Sequence, residues 1–316
     1  MKKLKTTLTT IAITAFFIAP AILLAQDDKG KNGYASVNGL NYYYEIHGQG
    51  DLSTEASAQA EPILLLHGGL GSGEMFNPIL PQLTEYRQII VVDLHGHGRT
   101  ALGERELNII DMGDDIAAIL KELGYDKVDV LGYSMGGGVG FQFAVQHPEM
   151  VRKLVMVGVV FSRDGYYPEI LKQQIMVNAD AAEMMKNTPM YQSYKKLAPH
   201  PEDFPKLLEQ IGELMAEPFD YSEDVKKLEM PVMLIYPDAG MIKPEHMVDF
   251  YQLLGGGLRD AGWNGQFMSQ NRLAILPGLT HYNIFMSPEM VETALTFLYS
   301  KNETKNWSEQ VNEAGN

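Results

Sequence analysis

The sequence predicts an α/β fold, a doubly wound and mostly parallel sheet carrying a small helical insertion. Three observations lead there. Six short runs are continuously apolar, Ile63–Leu66, Ile89–Val92, Val128–Leu131, Leu154–Val157, Val232–Ile235 and Leu273–Leu276, as strands covered on both faces require. Several of the intervening segments are amphipathic and long enough for crossover helices, namely Leu107–Leu123, Gly136–Gln146, Pro244–Leu254 and Pro288–Tyr299; alternating strands and helices imply a parallel sheet. The interval from Val157 to Val232 is far longer than a connecting loop and must hold structure of its own.

Taken in chain order, the first element is a leader. Lys2, Lys3 and Lys5 precede an apolar run from Ile11 to Leu24 that closes on Ala25 and turns polar at Gln26-Asp27-Asp28. This is the layout of a secretory signal peptide of residues 1–25, and the apolar run is shorter than the ~20 residues a spanning helix needs. The expectation is export to a bacterial periplasm or beyond, with cleavage after Ala25 and no membrane association afterwards. Residues Tyr34 to His47 alternate around Asn38-Gly39, a hairpin with a type I′ turn. A small-residue stretch, Ser53 to Ala60, reads as a surface loop. The core is expected over residues 26–160 and 228–301, with a helical cap over residues 161–227 and a polar tail at residues 302–316. The cap segment is rich in Met, Tyr, Glu and Pro, and Met suits adaptable apolar surfaces that could contact a substrate.

Composition narrows the function. The 316 residues carry a formal net charge of −15, which repels phosphate backbones and argues against a nucleic-acid partner. With no cysteine, disulfides, thiolate metal sites and Cys nucleophiles are all excluded. Any chemistry must use oxygen or imidazole.

The strongest motif is Gly132-Tyr133-Ser134-Met135-Gly136, placed directly after an apolar run and before a helical segment. That setting is a nucleophile elbow, a sharp strand-to-helix turn that lifts the serine hydroxyl clear of the sheet. It also sets the Met135 N–H at a helix N-terminus, where negative charge is favoured. An earlier strand ends in His67-Gly68-Gly69-Leu70-Gly71. The Gly69 N–H is the candidate second oxyanion donor, and His67 reads as a structural hydrogen-bonder. The run Asp93-Leu94-His95-Gly96-His97-Gly98-Arg99-Thr100 reads as a hydrogen-bonded turn with no metal, because no matching ligand cluster lies near it. His281, between the last predicted strand and the last predicted helix, is the candidate general base.

These motifs, in this order from about Tyr34 to Tyr299, make the chain resemble the α/β-hydrolase superfamily, in its group of small cap-bearing esterases. The resemblance implies a mostly parallel sheet of about eight strands, a Ser-acid-His triad in that chain order and no cofactor. His281 falls where the family keeps its base. The acid departs from the pattern: similar hydrolases end the strand before the penultimate helix in G-D-x-D, whereas here the stretch is Pro237-Asp238-Ala239-Gly240 and the acid's position holds Gly240. Asp238, two residues earlier, is the expected orienting acid. Asp164, in Ser162-Arg163-Asp164-Gly165, is the alternative, and a histidine with no carboxylate is the third possibility. The expected activity is hydrolysis of a carboxylic ester, or a related acyl bond, of a small and largely apolar substrate through an acyl-enzyme on Ser134. The alternatives are a degenerate hydrolase serving as a ligand-binding protein, or a C–C or lactone hydrolase of the same fold.

Overall fold

A computed structural model describes residues 30–48, 61–85 and 87–299 of the chain. The leader of residues 1–25, the loop Ser53–Ala60 and the tail at residues 302–316 lie outside them. The described chain opens with β1 (Lys31–Val37) and β2 (Leu40–His47), joined by Asn38 at φ 48° and Gly39 at φ 82°. Two consecutive positive φ angles define a type I′ turn, whose twist matches the strands it joins.

Six further strands complete one sheet: β3 (Ile63–Leu66), β4 (Ile89–Val92), β5 (Val128–Tyr133), β6 (Val151–Val157), β7 (Val232–Ala239) and β8 (Arg272–Thr280). The order is β1-β2-β4-β3-β5-β6-β7-β8. The hairpin joins antiparallel through β2 and β4, and every pairing from β4 to β8 is parallel. The sheet is the eight-stranded α/β arrangement that the apolar runs predict.

Period-two alternation sends successive side chains to two separate cores. Leu64 and Leu66 of β3 enter a core shared with α2 (Ile109–Leu123) and α3 (Met135–Gln146), whereas Ile63 and Leu65 enter the opposite one, with α1 (Leu80–Thr84) and the final helix, Pro288–Tyr299. Helix α2 begins two residues later than its apolar pattern suggests because Asn108 caps it, its Oδ1 accepting from the Ile110 and Asp111 amides at 2.8 and 3.2 Å. The expectation of strands covered on both faces fails at β8. This strand forms the sheet edge, and its Ile275 is 45% exposed.

Between β6 and β7 run five short helices, α4 (Pro168–Gln174), α5 (Ala181–Met185), α6 (Pro189–Leu197), α7 (Phe204–Ala216) and α8 (Ser222–Val225). Helix α7 turns Phe204, Leu207, Leu208 and Ile211 into the core that α2 and α3 occupy. The segments entering and leaving this stretch lie side by side: Arg163 N–H donates to Phe219 O at 3.1 Å and Tyr221 N–H to Phe161 O at 2.8 Å. The remaining helices are α9 (Pro244–Leu253) and α10 (Pro288–Tyr299). No helix among the described residues is long and apolar enough to cross a membrane.

The chain leaves β3 for β4 on one side and returns to β5 on the other. In open α/β sheets such a reversal of strand order opens a crevice at the carboxyl ends of the strands. Here the loop after β3 carries Gly68 and Gly69, and the turn after β5 carries Ser134.

Candidate active site

Strand β5 passes into α3 through Ser134, whose backbone sits at φ 52° and ψ −120°. A non-glycine residue in so sparse a region costs of order 1–3 kcal/mol and persists only where its surroundings over-determine it. The turn is fixed from below. Ser134 N–H donates to Val157 O at 2.9 Å, Ser134 O accepts from Gly138 N–H at 3.0 Å, and a Cβ on Gly136 would meet the Leu66 carbonyl oxygen at 2.3 Å. Only glycine at that point lets α3 start so close to β3. Met135 is the first residue of α3, and first-turn amides have no partner within their helix.

His281 follows β8, and its Nε2 lies 3.0 Å from Ser134 Oγ. For Nε2 to accept the serine proton, the ring must carry its own hydrogen on Nδ1. That nitrogen is buried without a hydrogen-bond partner among the described residues. Burial drives the imidazole pKa down to about 4.

The expected orienting acid is not at the ring. Asp238 is exposed, and its Oδ1 accepts the Gly278 N–H at 2.9 Å, so it pins the β7–β8 edge at the bulge between Pro237 and Ala239. The reason is geometric: side chains alternate along a strand, and Asp238 precedes the strand end beside which the histidine sits. The β7–β8 ladder ends at the pairing of Ala239 with Thr280, and Gly240 and His281 are the residues that follow it on the two strands. The alternative, Asp164, lies in the short turn at Arg163–Gly165, where its carbonyl accepts from Lys243 Nζ at 2.8 Å. The structure brings Ser134 and His281 together and leaves both acids elsewhere.

Two residues that the motifs did not single out touch the imidazole. The Tyr133 hydroxyl donates to the His281 carbonyl oxygen at 2.6 Å, and the two rings lie 5.1 Å apart. Gly158, just past β6, has φ 64°, and a Cβ there would come within 2.9 Å of His281 Nδ1. Tyr133 occupies the variable position of the elbow motif, so only its burial beside a motif serine could have marked it. Gly158 carried no signal beyond ending an apolar strand.

The loop carrying Gly69 is held by His67. Its Nε2 accepts from Leu94 N–H at 3.0 Å, while its Nδ1 lies 2.8 Å from the Gly68 carbonyl. Full burial lowers this imidazole to about 4, so at neutral pH it is uncharged, with one nitrogen accepting and the other donating. The Met135 thioether approaches within 3.8 Å of where a Gly69 Cβ would stand, so the residues of the two candidate oxyanion donors, Gly69 and Met135, are neighbours. The histidines of the Asp93–Thr100 run bond to backbone: His95 Nε2 to Leu102 O at 2.7 Å and His97 Nδ1 to His95 O at 2.8 Å. Asp93 accepts from the Gly73 and Arg99 amides at 2.7 and 2.8 Å. Among the described residues, no group of three or more His, Asp or Glu side chains could hold a metal ion.

A serine on a strained elbow, an imidazole on its hydroxyl and glycine-lined amides at a strand switch point define the site of a hydrolase. The family model of the alpha/beta hydrolase fold matches residues 61–270, and the chain belongs to that family. A relative from Azorhizobium caulinodans named as the carbamate hydrolase RutD is 24% identical over 245 residues, covering 72% of this chain and 87% of its own. A pimeloyl-[acyl-carrier protein] methyl ester esterase from Aeromonas hydrophila is 36% identical over 127 residues, covering 38% of this chain and 48% of its own. Among solved structures, a thermophilic esterase from Thermogutta terrifontis superimposes with a TM-score of 0.64 at 20% identity, over 87% of this chain and 100% of the other. At that identity the likeness speaks for the fold alone.

Proposed function

We propose that the chain is a serine hydrolase cleaving a carboxylic ester, or a closely related acyl bond, of a small and largely apolar substrate. The 3.0 Å contact between His281 Nε2 and Ser134 Oγ at the elbow carries this reading. Ser134 Oγ attacks the acyl carbon while Nε2 takes its proton, and the developing oxyanion is met by the Met135 and Gly69 amides. The intermediate collapses as the imidazolium returns the proton to the leaving group. Water then attacks the acyl-enzyme by the same route and frees the acid. Two of the relatives carry the names of a carbamate hydrolase and a methyl ester esterase, which supports an acyl bond. A soluble epoxide hydrolase from Corynebacterium is also similar, 30% identical over 126 residues, but Ser134 stands where epoxide-opening relatives of this fold place an aspartate.

Asp238, Asp164 and the other described carboxylates make no contact with Nδ1, so the mechanism is that of a serine–histidine pair. The same unpartnered nitrogen favours a second reading, a ligand-binding protein with residual turnover. The leader is read as directing export, so the substrate would be met outside the cytoplasm. A fluorophosphonate probe tests the site. It should label the purified protein and fail to label Ser134→Ala, and a chain-length series of esters should then show turnover that Ser134→Ala abolishes. Absence of labelling in the unmodified protein would overturn the reading, and labelling without turnover of any ester would favour the second.

A further inference from the structure

We infer that Tyr133 is a positioning residue for the reaction, holding the His281 loop over Ser134 through its hydroxyl, where no carboxylate among the described residues bonds to the imidazole. This rests on the reading of Ser134 and His281 as nucleophile and base.

Tyr133 is the last residue of β5 and the covalent neighbour of Ser134, and it is 6% exposed. Its hydroxyl donates to the His281 carbonyl at 2.6 Å. Its ring lies 5.1 Å from the imidazole and 5.1 Å from Phe285 on the far side of the histidine loop. A Cβ on Gly68 would come within 2.7 Å of that ring, so the oxyanion loop also rests on it. Within the histidine loop the bonds are local: Thr280 N–H donates to Asn283 Oδ1 at 2.7 Å and Tyr282 N–H to Thr280 Oγ1 at 3.3 Å. The pairing of Thr280 with Ala239 anchors the start of the loop to β7. The Tyr133 hydroxyl ties the backbone of the base itself to the residue preceding the nucleophile. Burial raises the phenol's pKa, which keeps the hydroxyl a donor at any working pH.

The test is Tyr133→Phe, which removes one oxygen and keeps the ring. The expected result is a fall in kcat of about ten- to a hundredfold with KM unchanged, the scale of a small misplacement of reacting groups, and a matching fall in the rate of fluorophosphonate labelling. In a Gly240→Asp background whose raised acid limb shows that the new carboxylate orients the ring, the same substitution should cost less. An unchanged kcat overturns the inference. So does a loss that tracks thermal unfolding and disappears when the assay is run well below the melting temperature, or a penalty of equal size in a Gly240→Asp protein whose acid limb has moved up. If the unmodified protein neither labels nor turns over an ester, the reading of the site falls along with this one.

Discussion

Gly158 and Gly240 lie just past consecutive strand ends, yet they differ in what a side chain there would meet. Gly158 sits at φ 64°, and a Cβ there would press on His281 Nδ1 at 2.9 Å. Gly240 has no such backbone requirement, and the atoms nearest its Cβ all belong to Pro237: Cγ at 2.7 Å, Cδ at 3.5 Å and the carbonyl oxygen at 3.6 Å. A proline ring can pucker away, whereas an imidazole pinned between Ser134 and Tyr133 cannot move without losing its bond to the serine. One glycine is therefore required by the site as built. The other can take a side chain once the Pro237 ring gives way.

The largest expected effect follows from filling that position. A Gly240→Asp carboxylate that reaches Nδ1 would fix the ring hydrogen there and stabilise the imidazolium that forms during attack. A gain in kcat of one to three orders of magnitude is expected, bounded by the ~10⁴ lost when the acid of a complete triad is made an amide. The pH profile should move with it. As built, burial holds His281 near 4; the base is active when neutral, so kcat/KM should stay level from neutral pH downward and fall only as pH drops through about 4. An adjacent carboxylate favours the charged ring and raises its pKa, so the acid limb of Gly240→Asp should lie well above that of the unmodified protein. The same shift carries a stability consequence. An imidazole whose folded pKa lies below its unfolded value of about 6.5 favours the native state above that value, and this contribution is lost as pH falls through the folded pKa. Gly240→Asp should lessen that loss. Limbs that coincide in the two proteins would mean that the new carboxylate does not reach the ring.

Gly158→Ala should act in the opposite direction and somewhat less. A left-handed backbone costs an alanine roughly 1–2 kcal/mol, and the added methyl displaces the imidazole from Ser134. A misplacement of that kind is worth about a hundredfold in kcat. Steady-state kinetics beside a melting curve separate the two terms. If kcat is retained while the melting temperature falls, the methyl is absorbed elsewhere and the contrast between the two glycines disappears.

The contrast also marks where sequence reasoning reached and where it stopped. The strands could be read because a run such as Ile63–Leu66 can only be buried, and the elbow because strand, G-x-S-x-G and helix are contiguous. His281 could be placed because it follows the last apolar run. Asp238 bonds to the Gly278 N–H and not to the imidazole, which a linear motif does not reveal, because it gives the strand end but not the facing of each residue along it. Tyr133 and Gly158 escaped for a related reason. Their importance lies in contacts 148 residues away for the first and across two strands for the second. Edge exposure of β8 likewise depends on strand order, which apolar runs do not encode.

The smallest expected effect is that of Asp238→Asn, and it separates an orienting acid from a structural carboxylate. The asparagine keeps the Oδ1 acceptor for Gly278 N–H and removes only the charge, at an exposed site where most substitutions fall within about 0.5 kcal/mol. If Asp238 serves only the β7–β8 edge, kcat should remain within about twofold and the melting temperature should barely move. Were the carboxylate to reach His281 during turnover, the same change would impose the wrong tautomer and cost kcat up to ~10⁴. Repeating the substitution in Gly240→Asp sharpens the point, because a protein with a working acid at 240 should be indifferent to residue 238 even if the unmodified one is not.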